Sequence, residues 1–199
     1  MQSLFCPHKI SVLERELLLT GIGGQGVQLA AQVVARAAIA EGREVQVFGS
    51  YGGMMRGGNT DSTVVLADEP ITAPPVVSRT WSAIAMHDEY WGPVEAKLRL
   101  GALVLVNDAT FAADVPGAHR VPATEVATDL GAPLAASLVI LGANASMSSI
   151  VALPSLIEGM RASIPSYRTQ HIEANERAIR AGWELLPAGE VPAWEGARV

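Results

Sequence analysis

The segment that most constrains this chain is a strand-like run, Glu16-Leu17-Leu18-Leu19-Thr20, that enters Gly21-Ile22-Gly23-Gly24-Gln25-Gly26 and passes at once into an alanine-rich stretch. Leu17–Thr20 is short, apolar and bounded by glycine, as a buried parallel strand should be. Gly21, Gly23 and Gly26 match the G-x-G-x-x-G spacing. Glycines there let the backbone turn tightly and approach a ligand, and a helix start behind them offers free N–H groups and a partial positive charge. Val27 to Glu41 places Leu29, Val33, Val34, Ala37 and Ala38 near helical spacing, with Gly42 as a C-terminal cap. Glu44–Phe48 reads as a second strand. The three together form a β-α-β unit, which predicts a right-handed crossover and a parallel sheet.

A dinucleotide site needs more than the glycines. An Asp or Glu about 20 residues on, at the end of the second strand, takes the ribose hydroxyls. Here that region reads Gln46-Val47-Phe48-Gly49-Ser50, with neither a carboxylate nor an arginine for a 2′-phosphate. The glycines could then serve only to pack helix on sheet. Gln25, an amide at the helix start, suits a phosphate, a carbonyl or a partner's backbone.

A second glycine-rich stretch follows the second strand. Gly49 to Asn59 carries five glycines around Arg56: Tyr51-Gly52-Gly53-Met54-Met55-Arg56-Gly57-Gly58-Asn59. Arg56 offers a planar fork for a carboxylate or phosphate, and Met54 and Met55 are adaptable contact residues. A loop at this point lies at the carboxyl edge of an open α/β sheet, where such sheets place their ligands, and the first glycine loop lies at the same edge. The two are expected to converge on one crevice. An exposed turn with a solvated arginine is the plainer alternative.

Downstream, Ser62–Ala67, Trp81–Met86, Ala102–Asn107 and the short His119-Arg120-Val121 read as strands. Tyr90–Leu98, Leu134–Ala145, Ser155–Ile164 and His171–Leu185 read as helices, and residues 108–133 otherwise as irregular. Strands alternating with helices predict an α/β fold of three layers, a mainly parallel sheet with helices on both faces. The expected organisation is an N-terminal arm (residues 1–14), one domain (15–186) and a C-terminal tail (187–199) that wraps a surface.

The remaining inventory excludes several functions. The 199 residues are 49% apolar, enough for a sizeable core, and the net charge of −6 without a Lys/Arg cluster argues against nucleic acid. Cys6 is the sole cysteine, so no internal disulfide, cysteine zinc site or iron–sulfur cluster can form in this chain. His8, His87, His119 and His171 lack metal-ligand spacing, and neither a nucleophile elbow nor a P-loop lysine is present. His87-Asp88-Glu89 reads as a polar turn at a strand end, and Asn175 and Arg177 as a solvated helix face or partner contact. Met1–Arg15 does not read as a signal peptide, and no window reaches the ~18 apolar residues of a membrane span, so the cytoplasm is the expected compartment.

Taken together, Gly21–Ala40 and Tyr51–Gly58 resemble the gamma subunit of the 2-oxoacid:ferredoxin oxidoreductases, the pyruvate/ketoisovalerate oxidoreductase catalytic-domain family. Its members carry a strand followed by G-x-G-G-Q-G-V and an alanine-rich helix, then a Tyr-Gly-x-x-x-Arg-Gly-Gly loop. A proline-bearing turn near Pro70 and Pro75, Leu141-Gly142-Ala143, and a last helix with Asn175, Ala178 and Gly182 extend the likeness over residues 15–185. This chain departs at Gly53-Met54, where Pro-Glu is usual, and before Leu141, where Ser137 is the nearest polar residue to a usual asparagine.

The resemblance implies a Rossmann-like fold that bears the glycine fingerprint without a dinucleotide. It implies alpha and beta partner subunits holding thiamine diphosphate with Mg, and an iron–sulfur subunit carrying [4Fe-4S] clusters. Such a complex oxidatively decarboxylates a 2-oxoacid, usually to an acyl-CoA, and passes electrons to ferredoxin or a related acceptor. In this reading Gly21, Gly23, Gly24, Gln25 and Gly26 form one wall of the crevice, and Tyr51, Arg56, Gly57, Gly58 and Asn59 the other. CoA or a partner chain would occupy it. Two rivals stand beside this expectation: a free-standing nucleotide-binding oxidoreductase, and a purely structural scaffold subunit.

Overall fold

The computed structural model describes residues 13–51, 57–72 and 77–194. The chain runs β1 (Glu14–Ile22), α1 (Val27–Ala40), β2 (Glu44–Tyr51), β3 (Asn59–Ala67), β4 (Thr80–Ala85), α2 (Gly92–Glu95), β5 (Leu98–Asn107), β6 (His119–Val121), α3 (Ala123–Asp129), α4 (Ala136–Ser148), α5 (Leu153–Ser163) and α6 (Ile172–Glu184). The strands form one six-stranded sheet in the order β2-β3-β1-β4-β5-β6. β3 is antiparallel to both β1 and β2, while β1–β4, β4–β5 and β5–β6 are parallel. The expected β1-α1-β2 crossover of parallel strands is therefore present, with β3 slotted between its strands. Residues 52–58 are too few for a parallel return, which takes about a dozen residues, so β3 must come back antiparallel.

Alternation along the strands sorts the core into two layers. Leu17, Leu19, Val64, Leu66, Ile84, Leu103 and Leu105 point to one face, where they pack with residues of α1, α3, α4, α5 and α6. Leu18, Ala83, Ala85, Val104 and Val106 point to the other, where Trp91, Val94 of α2 and Phe111 cover them. Trp91 and Phe111 meet edge to face, centroids 5.4 Å apart. Among the described residues the second face thus carries one α-helical turn where the first carries five α-helices. Tyr90–Leu98, expected as a helix, is helical only over Gly92–Glu95 because the chain rejoins the sheet at Leu98, with the Thr80 N–H bonded to Lys97 C=O at 2.7 Å. Within the stretch expected to be irregular lies α3, ended by Gly131 at φ +71°.

The helices on the first face sit close because small residues face backbone. A Cβ on Gly159 of α5 would lie 2.5 Å from the Val33 carbonyl oxygen of α1. Gly142 of α4 and Gly182 of α6 abut each other's helix: a Cβ on either would overlap the carbonyl oxygen of Ile179 or of Val139. Every residue of α4 is buried.

The last carbonyls of α4 lack intrahelical partners, as at any helix end. The following chain supplies them: Gly189, Val191 and Ala193 N–H groups donate to Ser146, Met147 and Ser148 at 2.8, 3.0 and 2.6 Å. Trp194 is buried, donates its indole N–H to Ile150 C=O at 2.9 Å, and lies 3.8 Å beneath the Arg43 guanidinium. Of the described residues after α6, Ala193 and Trp194 are buried in the core, while Pro187, Ala188, Glu190 and Pro192 stay exposed. Among the described residues no helix is long and apolar enough to cross a membrane.

Candidate functional site

β1 leads into α1 on the first face and β4 leads toward α2 on the second, so the sheet's topological switch point lies between the carboxyl ends of β1 and β4. Open α/β sheets bind ligands in the crevice at that point. The first glycine loop sits there. Its Gln25 folds back across the opening: Oε1 accepts the Ile22 N–H at 2.9 Å, and Nε2 donates to Met86 C=O at 3.1 Å. Both amide functions are spent inside the protein, and the crevice is floored by a side chain.

Each glycine of the loop has its own reason. A Cβ on Gly21 would stand 2.7 Å from Gln25 Oε1 and 2.9 Å from Met86 Cβ. Gly26, the N-cap of α1, has φ +80°, and its Cβ would overlap Ser137 Oγ on α4. Gly24, at φ +105°, faces open space. Gly23 donates its N–H to Gly58 C=O at 2.9 Å, and its Cβ would lie 3.3 Å from the Gly57 nitrogen. The two glycine segments expected to converge therefore touch, backbone to backbone. Tyr51 ends β2 and Asn59 opens β3, paired with Thr60 and Ile22 respectively. Arg56, with Gly52 to Met55, lies outside the described residues.

Behind this junction is a polar cluster that the sequence reading missed. Asp61 Oδ1 accepts from Thr20 Oγ1 at 2.7 Å, Asp61 Oδ2 from Asn59 Nδ2 at 2.9 Å, and the Asp61 carbonyl from Gln28 Nε2 at 3.0 Å. The Gln28 amide lies over Gly49, where a Cβ would be 2.8 Å from its Oε1. The carboxylate absent from the end of β2 is thus met on the neighbouring strand by Asp61, with both oxygens already engaged. The available signal was an aspartate inside a β-branched run, a residue depleted from strands unless something holds it.

The end of β4 is a capped turn. His87 Nδ1 accepts the Glu89 N–H at 3.1 Å with Asp88 Oδ1 3.2 Å away, and Asp88 Oδ2 accepts the Ala112 N–H at 3.0 Å. The Tyr90 hydroxyl is held above its ordinary pKa by desolvation and then by the Glu89 charge and hydrogen bond, while a bond with the Asn59 backbone works the other way. Tyr90 thereby joins this turn to the start of β3.

Two cavities open beside the loop. One of about 240 Å³ is lined by Gly24, Gln25, Met86, Thr110, Thr124 and Leu134 among others. Asn107 holds its threonines, donating to Thr110 Oγ1 at 2.7 Å and to Thr124 Oγ1 at 2.9 Å. The other, about 260 Å³, shares Pro133 and Leu134 and continues to Arg168, His171 and Asn175. Among the described residues no group of three or more His, Cys, Asp or Glu could hold a metal. The site offers backbone dipoles, hydroxyls and a helix start, which bind and position; among the described residues it presents no nucleophile–base pair.

The fold is therefore a Rossmann-like unit whose switch point is closed by its own glutamine and whose two glycine loops are joined. The chain belongs to the pyruvate ferredoxin/flavodoxin oxidoreductase family, whose model matches residues 16–185. It is 29% identical over 180 residues to the 2-oxoglutarate synthase subunit KorC of Methanocaldococcus jannaschii, covering 87% of this chain and 94% of that one. It is 30% identical over 175 residues to the pyruvate synthase subunit PorC of Methanothermobacter marburgensis, covering 86% and 97%. The solved gamma subunit of a keto/oxoacid ferredoxin oxidoreductase from Geobacter sulfurreducens superposes with a TM-score of 0.75 at 27% identity, covering 86% and 95%. These likenesses bear out the expected family, fold, oxidoreductase class and gamma-subunit type. Subunits named for 2-oxoglutarate and for pyruvate stand at nearly the same identity.

Proposed function

We propose that this chain is the gamma subunit of a cytoplasmic, thiamine-diphosphate-dependent 2-oxoacid:acceptor oxidoreductase. The observation that carries the reading is the Gly23–Gly58 junction, which joins the two family loops over a switch point closed by Gln25. The redox groups do not fit on this chain: a [4Fe-4S] cluster takes four thiolates, and Cys6 is the one cysteine. Thiamine diphosphate with its Mg and the clusters belong to alpha, beta and iron–sulfur partners, and ferredoxin or a related carrier takes the electrons.

The role of this chain is to bind and orient. Gly21, Gly23, Gly24, Gln25 and Gly26 make one wall. Tyr51, Arg56, Gly57, Gly58 and Asn59 make the second, with Arg56 pairing a phosphate, a carboxylate or a partner's acid. CoA fits this division, since an anion-bearing carrier suits a helix start and a guanidinium. CoA would supply the thiol that takes the acyl group, and the residues of the two walls would hold and orient it.

Co-expression with the neighbouring reading frames tests the proposal. The chain should co-purify in a complex that contains thiamine diphosphate and reduces ferredoxin on addition of a 2-oxoacid and CoA. Neighbours that form an active enzyme without it would refute the assignment. Arg56→Ala separates a site from a scaffold: a raised Michaelis constant for CoA in the assembled complex marks a site, whereas weaker assembly with unchanged turnover marks a scaffold.

A further inference from the structure

The two edges of the sheet are built differently. β6 is a three-residue edge that contains His119 and Arg120. A short, charged strand is one of the usual ways of protecting an edge against pairing. β2 is longer, and its one charge, Glu44, stands at its first residue. It spans eight residues, pairs with β3 without a register shift, and reads Val45-Gln46-Val47-Phe48-Gly49-Ser50-Tyr51 after Glu44, with no charge and no proline. Alternate residues of an edge strand direct N–H and C=O groups away from the sheet. Apolar side chains stand exposed on both sides of this row. Val47 is 46% exposed on the first face, where its pairing with Val64 places it, and Phe48 is 52% exposed on the second, opposite Thr63. Ile39 is 59% exposed on the 28-32-35-39 line of α1, the line whose first member, Gln28, lies over Gly49 of β2.

From this we infer that β2 is an interface, and that its occupant is the β2 strand of a second copy, paired antiparallel about a two-fold axis. Such a two-fold keeps each face of the sheet on its own side, so opposed residues must share a face. The pairing that uses the whole uncharged stretch centres on its midpoint, Phe48. Phe48 then opposes Phe48 of the second copy on the second face, Val47 opposes Gly49 on the first, and the backbone of residues 45 and 46 runs opposite that of residues 51 and 50. Both Glu44 residues fall outside the paired segment, so no like charges are opposed. Aromatic pairs directly across antiparallel strands stabilise the pairing, and isologous contacts of this kind close at two copies. The result is a continuous twelve-stranded sheet (two copies of the six-stranded sheet).

The test is the mass of the full chain in solution by light scattering, with variants. The wild type should run as a dimer. Phe48→Lys sets two like charges across the two-fold, and Val47→Lys loads the opposite face. Each should raise the dimer dissociation constant by about tenfold or more without lowering the thermal midpoint of the monomer. Leu100→Lys removes an even more exposed apolar group on β5, four strands and about 19 Å away, and should leave the dimer intact. In a Cys6→Ser background, Phe48→Cys should cross-link to itself under mild oxidation and Gln46→Cys should not. A wild type that stays monomeric at every concentration overturns the inference, as does a Phe48→Lys variant that dimerises like wild type. A monomer whose β2 amides gain exchange protection only on adding partner subunits also overturns it, assigning the edge to a heterologous contact.

Discussion

At the scale of single residues, the glycine loop obeys packing as strictly as ligand geometry. Gly26 meets two demands at once, a left-handed φ of +80° and a close approach of Ser137 Oγ. Gly26→Ala should cost about 1–2 kcal/mol for the backbone and a further 1–3 kcal/mol for the overlap. Ser137→Ala should remove the second part only, so a double-mutant cycle by denaturant unfolding will show coupling. Gln25 was legible as a polar residue at a helix start, but its partners were not, because Met86 lies far along the chain and no local pattern announces it. Asp61 was hidden for the same reason. Glu16 is a second buried polar residue on β1. Burial pushes its carboxyl above the ordinary 4.5, offset in part by its ion pair with Arg99. The folded protein therefore holds this proton more tightly than the unfolded chain. The stability it contributes is full below about pH 4.5 and is lost as pH rises through the folded value. Glu16→Gln, which cannot ionise, should lose less stability between pH 4.5 and neutrality, read from urea midpoints across that range.

Among elements, the strands and long helices were legible because hydrophobic spacing is local. The element order from β1 to β2 and the carboxyl-edge placement of both loops followed from the β-α-β pattern alone. Three features did not. The antiparallel insertion of β3 depends on connection length, α2 was cut short by the need to rejoin the sheet, and α3 carries little apolar periodicity. The crossing of α4 and α6 was also invisible as such, although Gly142 and Gly182 were noticed as part of a resemblance. Their meaning is steric, since each glycine admits the other helix's backbone. Gly182→Ala should lower stability by about 1–3 kcal/mol or more. Because α6 packs on α4 across this contact, the variant's near-UV circular dichroism should change along with its thermal midpoint. An Ala at exposed Gly92, where nothing lies within 4 Å, should do neither.

On the scale of the whole molecule, the fold advertises a dinucleotide and the switch point withdraws the offer. With Gln25 bridging Ile22 and Met86, and no free carboxylate at the end of β2, the isolated chain should give no heat of NAD(H) or NADP(H) binding in calorimetry. A micromolar dissociation constant would restore the nucleotide-binding reading. The fold also has an order of completion in time. The carbonyls that end α4 are answered by residues 189, 191 and 193, and Trp194 seals the same corner. On a ribosome these are synthesised after every segment they close over. Until they emerge, the Ser146, Met147 and Ser148 carbonyls of α4 lack these donors. Any surface that includes this corner is therefore complete only once residues 189–194 have been made.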